Sequence, residues 1–144
     1  MKQNCFCKSV CQFNHSLFFL SKLQTMLKFD LLIKKNDFPV RLAAATHLKL
    51  ICEKHWRTKE QFTLHTSDKM NLKNSGLDII TRIANFPHLI RIYESMFSKM
   101  IEYDFPNEWP TLMEQILARM KAMTSFEETL GCLIFYKEIV LTLV

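Results

Sequence analysis

Two prolines four residues apart, each beside an aromatic residue, interrupt the chain at Asp104-Phe105-Pro106-Asn107-Glu108-Trp109-Pro110-Thr111-Leu112. No regular helix accommodates that pair, because proline lacks the amide hydrogen and its ring collides with the preceding turn. The stretch reads as a corner between two helices. Asp104 closes the first, Phe105 and Trp109 plug the angle, and Pro106 and Pro110 are expected at early helical positions, where no N–H is needed. The same device recurs at Phe38-Pro39 and at Phe86-Pro87. A chain that turns repeatedly in one way predicts a stack of helices. Only two glycines and four prolines occur in 144 residues, which leaves too little turn chemistry for an all-β fold.

Taken in order, residues 1–15 show no period and are left unassigned. Leu17, Leu20, Leu23, Leu27 and Leu31 predict a helix over 16–35, with Ser16 as its cap. After Phe38-Pro39 a second helix runs to about Trp56, with Val40, Ala44, His47, Leu48, Ile51 and His55 on one face. The run Ala43-Ala44-Ala45 favours close approach of a neighbouring helix. Residues 57–66 read as a loop. A third helix, capped by Thr66 or Ser67, reaches about Ala84 and turns Met70, Leu77, Ile80 and Ile83 inward. Gly76 weakens it by about 1 kcal/mol relative to alanine, which a close contact there would offset.

The fourth helix carries the clearest pattern: Leu89, Ile92, Tyr93, Met96, Phe97, Met100 and Ile101. The fifth repeats it with Trp109, Leu112, Met113, Ile116, Leu117 and Met120. The sixth starts at Ser125 with Phe126, Leu130, Leu133, Ile134 and Val140 turned inward. Its apolar ending, Ile139 to Val144, lacks the solvated face that closes a repeat array, and predicts a piece of a longer protein or an incomplete gene model.

The formal charge of +5 is unevenly spread. Up to Lys73 there are 13 Lys and Arg against 5 Asp and Glu; beyond it, 6 against 9. The lysines are dispersed rather than clustered, which argues against nucleic acid as the main partner. Cys5, Cys7 and Cys11 with His15 lack the paired spacing of a zinc knuckle, and their role stays open; Cys52 and Cys132 sit in apolar patterns as small hydrophobes, as in a reducing compartment. Lys22, Lys28 and Asp30 interrupt the apolar run at 17–33, so no membrane span is expected and the chain is read as soluble and intracellular.

No nucleophile elbow, phosphate loop, catalytic triad or zinc-protease pair occurs, and the chain is read as a non-enzyme without metal or cofactor. His47 and His55 are eight apart, too far along one helix to share a metal. Met96, Met100, Met113 and Met120 fit a packed core better than a peptide groove.

Three motifs carry a resemblance. Asp37-Phe38-Pro39-Val40-Arg41-Leu42-Ala43-Ala44-Ala45-Thr46-His47-Leu48-Lys49, closing with His55-Trp56, resembles the N-terminal region of the importin-β family. Pro87-His88-Leu89-Ile90-Arg91 and the corner from Asp104 to Pro110 resemble its next helix pair, most of all in the branch of importins seven and eight. The resemblance covers about 16–144. It implies an all-α solenoid of HEAT-type hairpins, about three repeats and six helices, with the helices from 16, 67 and 107 on the inner face. It implies a monomeric receptor shuttling between cytoplasm and nucleus, which binds the small GTPase Ran in its GTP form and releases protein cargo. Nucleoporins would be met through further repeats, and GTP would belong to Ran. Asp68, Lys73, Glu108 and Glu114 become candidates for Ran contact, exposed on the inner helices, while Phe38, Pro39, Phe86, Pro87, Phe105, Pro106, Trp109 and Pro110 are corner architecture. A helical scaffold without Ran binding, or a basic nucleic-acid-binding helical protein, are the alternatives.

Overall fold

The computed structural model describes residues 38–57, 64–122 and 124–144; the helix expected over 16–35 and the cysteines at 5, 7 and 11 with His15 lie outside the described residues. All regular structure among the described residues is helical: α1 (Phe38–His55), α2 (Thr66–Arg82), α3 (Pro87–Asp104), α4 (Leu112–Ala122) and α5 (Phe126–Leu143). α1 packs on α3 and α3 on α5, forming a row; α2 leans against α5 and α3, and α4 against α5. Consecutive helices thus fall alternately into two layers, the arrangement of stacked HEAT-type hairpins, and the five helices agree with the last five of the six read from sequence.

The corners explain the row. Proline is the second residue of α1 and the first of α3, where its fixed φ suits a helix start. The rings of Phe38 and Phe86 stack at 6.0 Å, and the Arg41 guanidinium lies 4.6 Å over Phe86. Two copies of one turning device therefore touch, and α1 and α3 start in register. The third corner differs from expectation: Pro106 and Pro110 both precede α4, which begins only at Leu112. Phe105 adopts an extended backbone, as a residue before proline prefers, so α3 stops at Asp104 and residues 105–111 form an irregular turn. The Asp104 carbonyl holds that turn, accepting from the amides of Glu108 at 2.7 Å and Trp109 at 2.9 Å.

The core runs along α3, where Leu89, Tyr93, Met96, Phe97, Met100 and Ile101 are buried as their spacing requires. Phe135 of α5 meets Phe97 at 5.0 Å and Trp109 at 6.2 Å. Gly76 lies against these rings: a Cβ there would stand 2.9 Å from Phe135 Cζ, which is the close contact that offsets its weak helix propensity.

Other faces need correction. In α1 the buried stripe is Ala45, Leu48, Ile51 and Cys52, continued by Trp56; Val40 and His47 are exposed. The packed face follows the four-residue steps leading to Trp56, the largest apolar group at that end. Met70 of α2, and Leu117 and Met120 of α4, are exposed, as are Phe126, Leu133 and Val140 of α5. α5 is apolar nearly all round, so its pattern selects no face; Gly131, Cys132, Ile134, Phe135 and Ile139 are the residues its neighbours cover. The cap of α2 is His65, whose Nδ1 accepts from the Ser67 amide, in place of Thr66 or Ser67. α5 starts beside Ser125 as expected, and Ser125 caps it, accepting from the Glu128 amide.

Candidate functional surface

α2 carries Asp68 and Lys69 on its first turn and Lys73 one turn on, and the end of α3 with the turn after it brings Asp104, Glu108 and Trp109 against the lysines. Asp68 and Lys73, expected to be exposed, are 3% and 6% exposed. Both lie on the stripe that continues through Leu72 and Gly76 into the core, so packing takes them inward. Lys73 Nζ sits 2.5 Å from Asp104 Oδ2 and donates to the Glu108 carbonyl at 2.9 Å. The same ammonium lies 5.9 Å from the Trp56 ring centre and 5.8 Å from that of Trp109. One lysine thus ties together the end of α1, the middle of α2, the end of α3 and the corner. A buried charge persists only when paired and hydrogen-bonded, and each of these contacts meets part of that requirement.

Lys69, one turn earlier, donates to the Trp56 carbonyl at 2.5 Å and lies 5.4 Å from its ring. Desolvation lowers its pKa against the pull of Asp104. Asp68 has a buried Oδ2 without a hydrogen-bond partner among the described residues, and burial raises its pKa, countered in part by His65. Glu108 and Glu114 are exposed, as expected. At Glu108 opens a cavity of about 170 Å³, lined also by Met70, Lys73, Asn74, Trp109, Pro110 and Thr111.

The sequence-derived candidates thus divide: Glu108 and Glu114 stand at a surface, whereas Asp68 and Lys73 are buried, Lys73 beneath Glu108 through its carbonyl. Asp104, Trp56 and Asn74 were not among them. A lysine on an apolar helical stripe, with an acid ending the next helix, is the pattern that signals such a buried pair. Trp109 is buried as corner architecture, as expected. Phe38 lies at the surface end of its corner, and Phe86 and Phe105 are half-buried.

A second polar tie crosses the layers. Arg119 of α4 pairs with Asp78 of α2 and lies 3.9 Å from Glu128 of α5. Burial pushes the Cys52 thiol up to about 12, which marks it as inert packing. No His, Cys, Asp and Glu cluster suited to a metal occurs among the described residues, and no described helix is long and apolar enough to cross a membrane.

Stacked helical hairpins jointed at Phe-Pro corners, with the Trp-Pro turn clasped by a buried lysine, define a class of helical-repeat protein. Residues 8–82 match the family model of the importin-beta N-terminal domain, and the chain belongs to the importin-β family. It is 29% identical over 115 residues to human Importin-8, covering 74% of this chain and 11% of that protein. Mouse Importin-8 is 30% identical over 89 residues, covering 56% of this chain and 8% of that protein. The Importin-alpha re-exporter of Schizosaccharomyces pombe is 24% identical over 88 residues, covering 60% of this chain and 9% of that protein. The chain therefore spans about a tenth of the length of these relatives. No solved structure matches it.

Proposed function

We propose that the chain acts as the N-terminal part of a nuclear import receptor, binding the GTP form of Ran and taking part in protein import. The observation that carries this reading is the family match over residues 8–82, which spans α1 and α2. The geometry adds a surface: Glu108 and Glu114 are solvent-facing, and Glu108 lines a cavity shared between α2 and the turn into α4. In this proposal the two carboxylates contact the GTPase. Lys73 positions Glu108 by holding its carbonyl, and Asp68 acts from within α2 rather than by contact. GTP stays with Ran, and the receptor performs binding exchange rather than a chemical step, cargo affinity falling as Ran binds because the two sites are coupled through the stack. Cargo and nucleoporins would be engaged by further repeats, with shuttling between cytoplasm and nucleus as the setting.

The test is retention of Ran on immobilised chain, loaded with a GTP analogue or with GDP. Retention restricted to the GTP form supports the receptor reading. Equal retention of both forms, or of neither, would leave a helical scaffold instead.

A further inference from the structure

We propose that the outer face of α5 is a self-association surface, on which a second copy of this chain lays its own α5 in the antiparallel sense. The inference goes beyond the Ran reading and does not rest on it; the resemblance implied a monomer. Phe126, Leu130, Leu133, Lys137, Val140 and Val144 succeed one another at steps of four, three, four, three and four residues. That is the a and d spacing of a two-helix seam. Leu130 is half-buried and the other five are exposed, while Cys132, Ile134, Phe135 and Ile139 take the opposite side of the helix into the core. α5 is apolar nearly all round because it carries two faces, and the described residues cover one of them.

Area and charge name the occupant. The apolar residues exposed along this side, from Phe126 at 73% through Leu133 at 52% to Leu143 at 66%, leave on the order of 800 Å² of surface, where the largest patch of an ordinary monomer reaches about 300–600 Å² and each partner of a standard interface contributes roughly 800 Å². One seam thus supplies one copy's share. Lys137 is its only charged side chain, and the ammonium turns back to Glu94 of α3 and, at 3.1 Å, to Glu138, leaving the methylene stem along the face. With that cation paired in its own chain, the seam is apolar in effect and complementary to itself, and a two-fold pair of like seams closes at two copies. The same lysine sets the direction. A parallel pair would put the two Lys137 opposite each other, whereas an antiparallel pair sets each against Leu133 of the second copy, and Phe126 against Val144.

The experiment is sedimentation equilibrium of the full chain over a range of concentrations. The expected result is a monomer–dimer equilibrium with a Kd between roughly 1 and 100 µM. Leu133→Glu/Val140→Glu places two carboxylates in the seam of each copy and should weaken association at least about tenfold. Both positions are exposed, so helix content and the fluorescence of Trp56 and Trp109 stay unchanged. Leu50→Glu, on an exposed position of α1, should leave the equilibrium as it is. Pyrene ligated behind Val144 reports the direction: an antiparallel pair holds the two labels about 27 Å apart, the length of α5, and gives no excimer emission. A chain still monomeric at about 200 µM, a mass that grows past two copies, or an unchanged Kd in the double variant would overturn the proposal. So would equal weakening by Leu50→Glu, which marks unspecific adhesion, or pyrene excimer emission.

Discussion

Lys73→Met removes the one ammonium that joins α1, α2, α3 and the corner, and leaves the Asp104 carboxylate, 11% exposed, without its cation. Removing one partner of a buried ion pair typically costs about 3–5 kcal/mol, because the remaining charge stays desolvated. The lost bond to the Glu108 carbonyl and the lost contacts with two tryptophan rings act in the same direction, while methionine regains apolar contact; about 3 kcal/mol is the expected net. With a urea m-value of roughly 1–3 kcal/mol/M, the midpoint falls by about 1–3 M, read directly from the fluorescence of Trp56 and Trp109. Asp104→Asn alone should cost about 2–3 kcal/mol, by stranding the ammonium. The double variant Lys73→Met/Asp104→Asn should recover much of the loss, with a coupling of at least about 1.5 kcal/mol. Two single effects under about 1 kcal/mol that simply add would show that the pair is solvated in solution, and would refute the clasp.

Three further outcomes follow from particular contacts. Gly76→Ala gains about 1 kcal/mol of helix propensity but drives a methyl to within 2.9 Å of Phe135 and 3.1 Å of Phe97, so thermal unfolding should show a net loss of about 1 kcal/mol; an increase in Tm would mean that the rings yield freely. Ser125→Ala removes the acceptor for the Glu128 amide and should lower stability by about 1 kcal/mol in urea unfolding, with no loss if the α5 start is frayed. Asp68 has its folded pKa raised by burial, so the folded state holds its proton more tightly and stability falls as pH climbs from the ordinary value of 3.8 through the raised one. Asp68→Asn should therefore raise the urea midpoint at pH 7 and lose that advantage below about pH 3.8; an equal advantage at both pH values would exclude the titration of Asp68 as its source.

How much of this was legible in the sequence depended on what each helix had to bury. α3 spaces its apolar residues at helical intervals from Leu89 to Ile101, and its face was read correctly, as were the Phe-Pro starts and the start of α5 at Ser125. α5 has apolar residues around most of its circumference, so neighbours rather than period decided that Phe135 turns in and Phe126 out. α1 was read in part: Leu48 and Ile51 are buried as expected, whereas Val40 and Ala44 suggested a face one step away from the line through Ala45, Leu48, Cys52 and Trp56. The clasp escaped for a different reason. The resemblance implied that Asp68 and Lys73 stand at the surface, and only the fold brings Asp104 and two tryptophans, from positions about 17 to 36 residues away, to the lysine that makes burial tolerable. Glu108 and Glu114 were read correctly as exposed because each lies at or beside the start of α4, off its apolar stripe.

The central claim, that this importin-β-family segment presents a surface for a GTPase in one nucleotide state, is tested most directly by equilibrium binding of Ran to the full chain, with GTP analogue and with GDP in parallel. The account predicts saturable binding of the GTP form, at least tenfold weaker binding of the GDP form, and a loss of affinity in Glu108→Gln/Glu114→Gln. Equal affinity for both nucleotide states, or the same affinity in the double variant, would contradict it.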